Sequence, residues 1–558
     1  MFRSLEAVAK TPVQVRRVAR VVRNDGRMAR SYRPVVRDQE FLLPPNMAEW
    51  LPQDHLVWFV IDVVEELDTT VFHARSRRGG RGRQGFDPDM LLGLLLYAYA
   101  TGVRSSRRIE RLCVDHVAFR VLCGQDAPDH TTIARFRADN QDAFADLFAQ
   151  VLRLCATAGM VKVGIVSIDG TKIAASAARG ANRSPEHVRE QAQKIADEIV
   201  SQAATTDADE DAAAAAGSGK NDELPPGFAQ HSGRAANIKR ALEEIERQDA
   251  QRQEVDALDQ RRADAYLARV ESGEVIRGGP PAGVDKVRLH QARLARGARQ
   301  LAGCEALSGR KAVVQRRDAR ALIAGATKAL AQAEALAAAG KLDSRVATER
   351  ERDRLERRSR GRGGSGRVVN LTDPDSRLMT QGSGGGSVQG YNAQIAVTDD
   401  HLILGVHLSQ EANDAHCFIP TLAAASTAAS DIGATIGTTL ADAGYFTAEN
   451  LTIDGPERLI APGKNHAVAQ AAKAPTHGPP PPDASPKDAM RHRLRTPEGA
   501  SIYKRRSATV ETVIAHLKDQ VGLRTFARRG LPAATSELHL AAAVTNLLKI
   551  HASTRPAT

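Results

Sequence analysis

Apolar residues along this chain recur first at helical spacing, then in short strand-like runs, and the switches between the two divide it into segments. Over 41–158 the spacing is helical. The segment FDPDMLLGLLLYAYATG opens with a proline, carries a broad apolar face and stops at Gly102, which predicts a helix. SSRRIERLCVDHVAFRVLCG predicts a second, capped by Ser105 or Ser106. QDAPDHTTIARFRADN turns at Pro128 into a third, capped by Asp129 or Thr131. Short helix, turn and short basic helix form the pattern of a helix-turn-helix, with Arg107, Arg108, Arg135 and Arg137 as candidate DNA contacts. An ordinary helical bundle with its arginines in water is the competing reading.

Strand texture begins at VKVGIVSIDGTKIAAS (161–176), a β-rich run predicted to end in an exposed turn at Asp169 and Gly170. From 185 to 366 the texture changes to Ala, Glu, Gln and Arg, with Ile238, Leu242 and Ile245 at helical spacing. This predicts long polar helices joined by low-complexity stretches at TTDADEDAAAAAGSGKNDELPPG, SRGRGGSG and QGSGGGS, expected to be mobile. Strands return at VQGYNAQIAVTDD and HLILGVHLSQEAND, with a turn at Asp399 and Asp400. FIPTLAAASTAAS then reads as a helix, TIGTTLADAGYF as a strand ending at Asp442, and RLIAPGK as another strand. A proline-rich loop over 465–490 leads to SATVETVIAHLKDQVG, an amphipathic helix capped by Ser507 with Val510, Val513, Ile514 and Leu517 on one side. Glu511 and Lys518, seven apart, share nearly one azimuth.

Composition narrows the class. The 558 residues are 42% hydrophobic and 26% charged, which suits a globular chain of three or four units. The longest apolar run, Met90–Val103, is too short for a bilayer span, and no secretory signal is evident, so a cytoplasmic location is expected. Five scattered cysteines without a CxxC pair argue against disulfide and thiolate zinc frameworks. The net charge of +11 is unevenly placed: ten Lys/Arg stand against two acids in 1–37, and eleven against four in 487–529. Two concentrated basic segments point to a polyanionic partner, because neutralised phosphates release counterions.

Setting the helical stretch aside leaves three carboxylates, Asp169, Asp442 and Glu511, on core elements of one mixed α/β unit. Convergent carboxylates suit hard divalent cations, and two such ions can drive an in-line phosphoryl displacement. His130, His416 and His516 have no ligand spacing and are not read as metal or base residues. Asp414 either approaches this site or caps the helix that follows it.

The segments VSIDGTK, LADAGYF and YKRRSATVETVIAHLK resemble the three catalytic blocks of DDE transposases from bacterial insertion sequences. Tyr503, Glu511 and Lys518 resemble the branch with a Tyr-Arg-Glu-Lys signature. That pattern puts arginine four before the glutamate, where this chain has Ser507, so Arg506 or Arg505 fills the role. DHTTIARFR resembles the end of the family's amino-terminal domain, and DPDSRLM, GYNAQIAV and EAND resemble the strands of a subgroup that carries a helical insertion.

The resemblance implies an α/β ribonuclease H-like catalytic domain with a mixed sheet, interrupted by a long helical insertion and preceded by an all-α helix-turn-helix-like domain. The implied division is a basic arm (1–40), a DNA-binding domain (41–158), a catalytic domain (159–184 and 367–550), the insertion (185–366) and a tail (551–558). The implied activity is cleavage of DNA at the terminal repeats of an insertion sequence and joining of the 3′ hydroxyls to target DNA. Asp169, Asp442 and Glu511 would hold two Mg²⁺ or Mn²⁺, and Tyr503, Arg506, Arg505 and Lys518 would contact phosphates. Double-stranded DNA is the expected partner, with a homodimer at synapsis and no membrane or nucleotide cofactor. The alternative is a catalytically silent, repurposed DNA-binding protein.

Overall fold

A computed structural model describes residues 47–74, 85–198, 228–276, 279–281, 283–305, 308–338, 368–381, 385–463 and 474–554. The basic arm at 1–40 and the low-complexity joints at 205–227 and 359–366 lie outside them. Residues 1–50 form one unit, of which the 3₁₀ turn Met47–Glu49 is described, and Leu51–Thr558 form a second.

The second unit begins with helices Leu56–Glu66, Thr70–His73, Pro88–Ala100, Ser106–Asp115, Val117–Leu122, His130–Asp139 and Ala143–Thr157. Their starts follow capping chemistry. Asp87 accepts from the Asp89 N–H just before Pro88, and Asp129 accepts from Thr131 and Thr132. The stretch read as one helix from Ser105 is two, broken at His116, whose backbone is extended. The break resets the helical phase, so that Ile109 and Cys113 before it and Ala118, Phe119 and Leu122 after it all reach the core.

The main sheet runs in the order β4–β5–β1–β7–β8, with β6 also pairing β5. Its strands are β1 (Ile165–Ala174), β4 (Arg377–Gln381), β5 (Gly385–Thr398), β6 (Ile403–Ser409), β7 (Thr438–Ala441) and β8 (Glu457–Ile460). A separate pair joins β2 (Asn182–Arg183) to β3 (Val369–Asn370). β5 is antiparallel to β4, β6 and β1, whereas β7 runs parallel to both β1 and β8. Of the stretch QGSGGGS, expected to be a mobile joint, Gln381 ends β4 and Gly385, Gly386 and Ser387 open β5, while 382–384 lie outside the described residues.

Side-chain alternation sorts the two faces. Val166, Ile168, Ala396 and Leu404 meet Phe418, Leu422 and Ala425 of the helix Phe418–Asp431. On the opposite face Ile173, Tyr391, Ala393 and Ile395 join one continuous core with Val513 and Leu517, with Leu538, Ala541 and Val544 of the helix Leu531–Thr554, and with the amino-terminal helices. The helices expected to stand as a separate domain over 41–158 therefore share their core with the sheet. Their apolar faces are wide enough to need a second layer, and the Leu531–Thr554 helix supplies it.

The stretch from 185 begins with a helix over 185–198, followed among the described residues by Phe228–Glu271, Lys286–Glu305 and Arg310–Ala338. The first long helix docks through Ile238, Ala241 and Ile245 onto Val188 and Val369.

Candidate active site

Asp169 does not end its strand. β1 continues to Ala174 because nine of its residues, Val166 to Ala174, are in register with β5, so Asp169 sits in mid-strand. Asp442 is the first residue beyond β7, and the pairing of Ile168 with Ala441 sets the two aspartates side by side at the parallel β1–β7 seam. Asp442 also accepts a hydrogen bond from the Gly444 N–H at 2.8 Å, which fixes the turn Ala443–Tyr445. Burial pushes both carboxyls above the ordinary aspartate range, and for Asp442 the charge of Asp169 adds to the shift.

Glu511 arrives from a different direction. The helices Pro497–Tyr503 and Thr512–Asp519 are linked through a π-helical turn at Ser507–Glu511, so Ser507 does not cap a helix. A π turn takes one residue more than an α turn and appears mostly as a single-turn bulge. That extra residue is the one by which Arg506 and Glu511 depart from the expected spacing of four. The Arg506 guanidinium, 8% exposed, donates to Asp169 Oδ2 at 2.8 Å and reaches Glu511 Oε1 at 3.5 Å. Arg505 turns away and pairs with Asp399. Deleting Ser507 is expected to collapse the bulge into a regular α-helix and to change the thermal midpoint little. Inserting an alanine beside it would rotate Glu511 by about 100° relative to Arg506. Thermal unfolding and a DNA-cleavage assay on both variants check this, and equal damage from both would show that the bulge does not absorb the residue.

Tyr503 is buried and donates from its hydroxyl to the Ala441 carbonyl at 3.3 Å, directly behind Asp442. Lys518 donates from Nζ to Thr171 Oγ1, on the same face of β1 as Asp169. The arrangement brings Asp169, Asp442, Glu511, Arg506, Tyr503 and Lys518 to one seam. It does not bring Arg107, Arg108 or Arg135 there; those three are exposed on the amino-terminal helices. Arg137, expected on a DNA-facing surface, is 6% exposed. It donates to the Arg104 carbonyl at 2.8 Å and to Ser106 Oγ, because its helix face packs against the core through Ile133 and Phe136.

Asp414 does approach the seam. Its Oδ1 accepts from Lys172 Nζ at 3.2 Å, Asn392 Nδ2 at 2.7 Å and Gln394 Nε2 at 3.0 Å. A side chain at Gly170 would put its Cβ 2.8 Å from that same oxygen, so glycine is required beside Asp169. The polar Asn392 and Gln394, two apart inside an otherwise apolar strand, are the signal in the sequence that this face of β5 is not plain core.

The residues fit a divalent cation by donor chemistry. They offer three hard oxygen donors: Asp169 and Asp442 side by side, half-buried and mutually repelling, and Glu511 linked to Asp169 through Arg506, which offsets only part of the charge. The three carboxylates do not all lie within 4.8 Å of one another, so a shared ion would have to draw Glu511 in. Elsewhere, His73, Asp87 and Asp89 have ligand atoms within 4.8 Å of one another, but Asp87 serves as a helix cap and Asp89 bonds His73.

Residues 45–139 match a family described as a transposase domain (DUF772), and residues 481–551 match a transposase DDE domain. The second match contains Tyr503, Arg506, Glu511 and Lys518; Asp169 and Asp442 lie outside both. No curated relative and no solved structure matches the chain. Among the described residues no helix is long and apolar enough to cross a membrane. The chain thus carries a transposase domain toward one end and a transposase DDE domain toward the other, consistent with a DDE transposase of the insertion-sequence kind.

Proposed function

We propose that this transposase binds the terminal repeats of its own element, cuts DNA at the ends and joins the freed 3′ hydroxyls to target DNA. The observation that carries the reading is the seam itself: Asp169 and Asp442 on adjacent parallel strands, with Glu511 tied to Asp169 through Arg506. The strand order, with β6, β5 and β1 antiparallel and β7 and β8 parallel to β1, supports a ribonuclease H-like catalytic domain assembled from 159–184 and 367–550.

Asp169, Asp442 and Glu511 would hold two Mg²⁺ or Mn²⁺, which when bound supply Lewis-acid stabilisation of the attacking and leaving oxygens of an in-line displacement. The protein's own groups do the rest. Arg506 is a fork with one guanidinium nitrogen on Asp169, and a phosphate oxygen entering the seam is a better bidentate acceptor for it than the single long contact to Glu511. Burial lowers the proton affinity of Lys518, whose ammonium contributes a point charge beside the scissile phosphate. Tyr503 acts through the Ala441 carbonyl by holding the end of β7, and so Asp442, in place. Joining is a transesterification, one phosphodiester made for each broken, so no nucleotide is consumed. Arg107, Arg108 and Arg135 are the exposed cations through which the amino-terminal helices contact the repeats, and two copies of the chain meet at synapsis.

The test is incubation of the full chain with labelled duplex carrying the element's ends and a target duplex, in Mg²⁺ and in EDTA. Metal-dependent cuts at the ends followed by joined products are expected. End binding without any cut would replace this reading with that of a DNA-binding protein without catalysis, and cuts without joining would make the chain a nuclease.

A further inference from the structure

The two helices Lys286–Glu305 and Arg310–Ala338 pack as a hairpin. Contacts pair Cys304 with Gln315 and, further from the turn, Gly297 with Ile323, as antiparallel helices require. Ala312, Ala319, Ala326 and Ala333, buried at every seventh residue, let the backbones approach closely along a narrow seam. Outside that seam Leu289 and Ala292 pack on Tyr266 and Leu267 of the long helix, and the face of the second helix opposite its alanines is exposed, with most of its charge positive. Residues 286–338 contain eleven Lys/Arg and three Asp/Glu, whereas the preceding helix Phe228–Glu271 contains eight and nine.

The charge is not explained by helix stability. A helix favours acids in its first turn and bases in its last, because of its dipole. Here Lys286 and Arg288 open one helix, Arg310 and Lys311 open the other, and neither has an acid in its first turn or a base in its last. Arg316 and Arg320 repeat the same sign four residues apart, which costs a helix stability. The long Phe228–Glu271 helix is built the other way. Arg189 pairs with Asp249, Arg247 with Asp375 and Arg269 with Glu274, and Arg377 pairs with the buried Glu244. Among the described residues no carboxylate pairs with Arg310, Lys311, Arg320 or Lys328. On their helix Arg310, Arg317 and Lys328 lie within about 20° of one azimuth, with Arg320 about 60° round from Arg317, so they form a stripe. The hairpin is carried on the long helix, whose stretch from the anchor at Arg247 to Glu271 spans about 36 Å. At its end Arg288 grips the Glu271 carboxylate at 2.9 Å and Arg299 the Glu271 carbonyl at 3.3 Å.

We propose that the hairpin 286–338 is a DNA-binding arm, a rigid basic rod on a neutralised stalk that grips the phosphate backbone of a duplex without reading its sequence. Like-charged helices of this kind are tolerated where a polyanion neutralises them, and an arm of arginines without base-reading partners gives binding that is uniform across sequences and steep in salt. The inference rests on the chain being a transposase and not on the carboxylate seam.

The test uses the full chain with Arg310→Gln, Lys311→Gln, Arg317→Gln and Arg320→Gln together. Glutamine keeps helix propensity while removing charge. Binding to an end-containing duplex and to a random duplex is measured in EDTA over a range of salt. Each lost phosphate contact lowers the slope of log affinity against log salt by about 0.9, so a fall of about 2–4, equal on both duplexes, is expected. A companion variant with the three arginines as lysine keeps the slope. Unchanged slope and affinity in the glutamine variant, with helical content preserved, would overturn the proposal. So would equal loss in the lysine variant, or a loss seen with RNA and not with duplex DNA. Cleavage in Mg²⁺ is read separately, so a wild-type chain that never cuts removes the catalytic reading and leaves the arm standing.

Discussion

Replacing Asp442 by asparagine is expected to lower metal-dependent end cleavage by roughly 10³-fold or more while end binding in EDTA stays within a few-fold of wild type. Asp442 stands next to Asp169 across the β1–β7 pairing, and both carboxyls are half-buried. The transition-state charge stabilisation at stake is several kcal/mol, and about 4 kcal/mol corresponds to that factor. Asparagine keeps the volume and an oxygen able to accept from the Gly444 N–H, so the Ala443–Tyr445 turn survives. Cleavage time courses with Mg²⁺ and Mn²⁺, beside thermal unfolding, check it. A variant that cuts within about tenfold of wild type would remove Asp442 from the site. The unfolding curve adds a second reading. Because burial and the neighbouring Asp169 both oppose ionisation of Asp442, removing its charge relieves repulsion, and the asparagine chain is expected to be no less stable without metal.

The largest expected effect on stability lies far from the chemistry, at Glu537 in the second turn of the Leu531–Thr554 helix. Its side chain is 1% exposed. One oxygen accepts from Arg104 at 2.8 Å and from the Tyr99 hydroxyl at 3.3 Å; the other accepts from the backbone N–H groups of Ala527 at 2.9 Å and Arg528 at 3.3 Å. Arg104 also donates to the Gly522 carbonyl at 2.6 Å, just beyond the helix that carries Lys518. Glu537→Ala would leave the Arg104 Nη1 and two backbone donors without an acceptor in the core and remove the charge that balances the guanidinium. Breaking a buried pair by removing one partner costs about 3–5 kcal/mol. The midpoint of urea unfolding is expected to fall accordingly, and cleavage per folded molecule to stay close to wild type. A cost under about 1 kcal/mol would mean that water replaces the carboxylate and that this junction is not dry.

The same residues show how the amino-terminal helices are joined to the rest. The sequence presents 41–158 as helical and the later strands as a sheet, and both textures are there in the structure. Nothing local says that the two share one core. That follows from the Leu531–Thr554 helix, apolar over most of its surface, which lies against Ala143–Thr157 on one side and the sheet on the other. A helix buried nearly all round has no amphipathic stripe to announce which layers it separates.

What the sequence by itself determined is what short-range chemistry determines. Asp87 with Pro88 starts a helix, Gly102 with its left-handed backbone lies just past its end, the turn at Asp399 and Asp400 joins two strands, and β7 ends at Ala441, within one residue of the Asp442 at which the local pattern ends it. The transposase family was legible too, because its blocks are short and contiguous. The tertiary structure alone decided the rest. Asp169 lies in mid-strand because β5, more than two hundred residues later, continues the ladder past it. Arg506 and not Arg505 faces the carboxylates because a π turn absorbs one residue, and a change of helical pitch leaves no mark in composition. Arg137 turns inward and Asp414 turns toward the seam because their partners, Arg104 and Ser106 for one, Lys172 and Gln394 for the other, are brought to them by packing. Caps, turns and periodicity act over a few residues and can be read in order along the chain. Charge pairing and strand register act through space, between residues whose meeting only the folded core arranges.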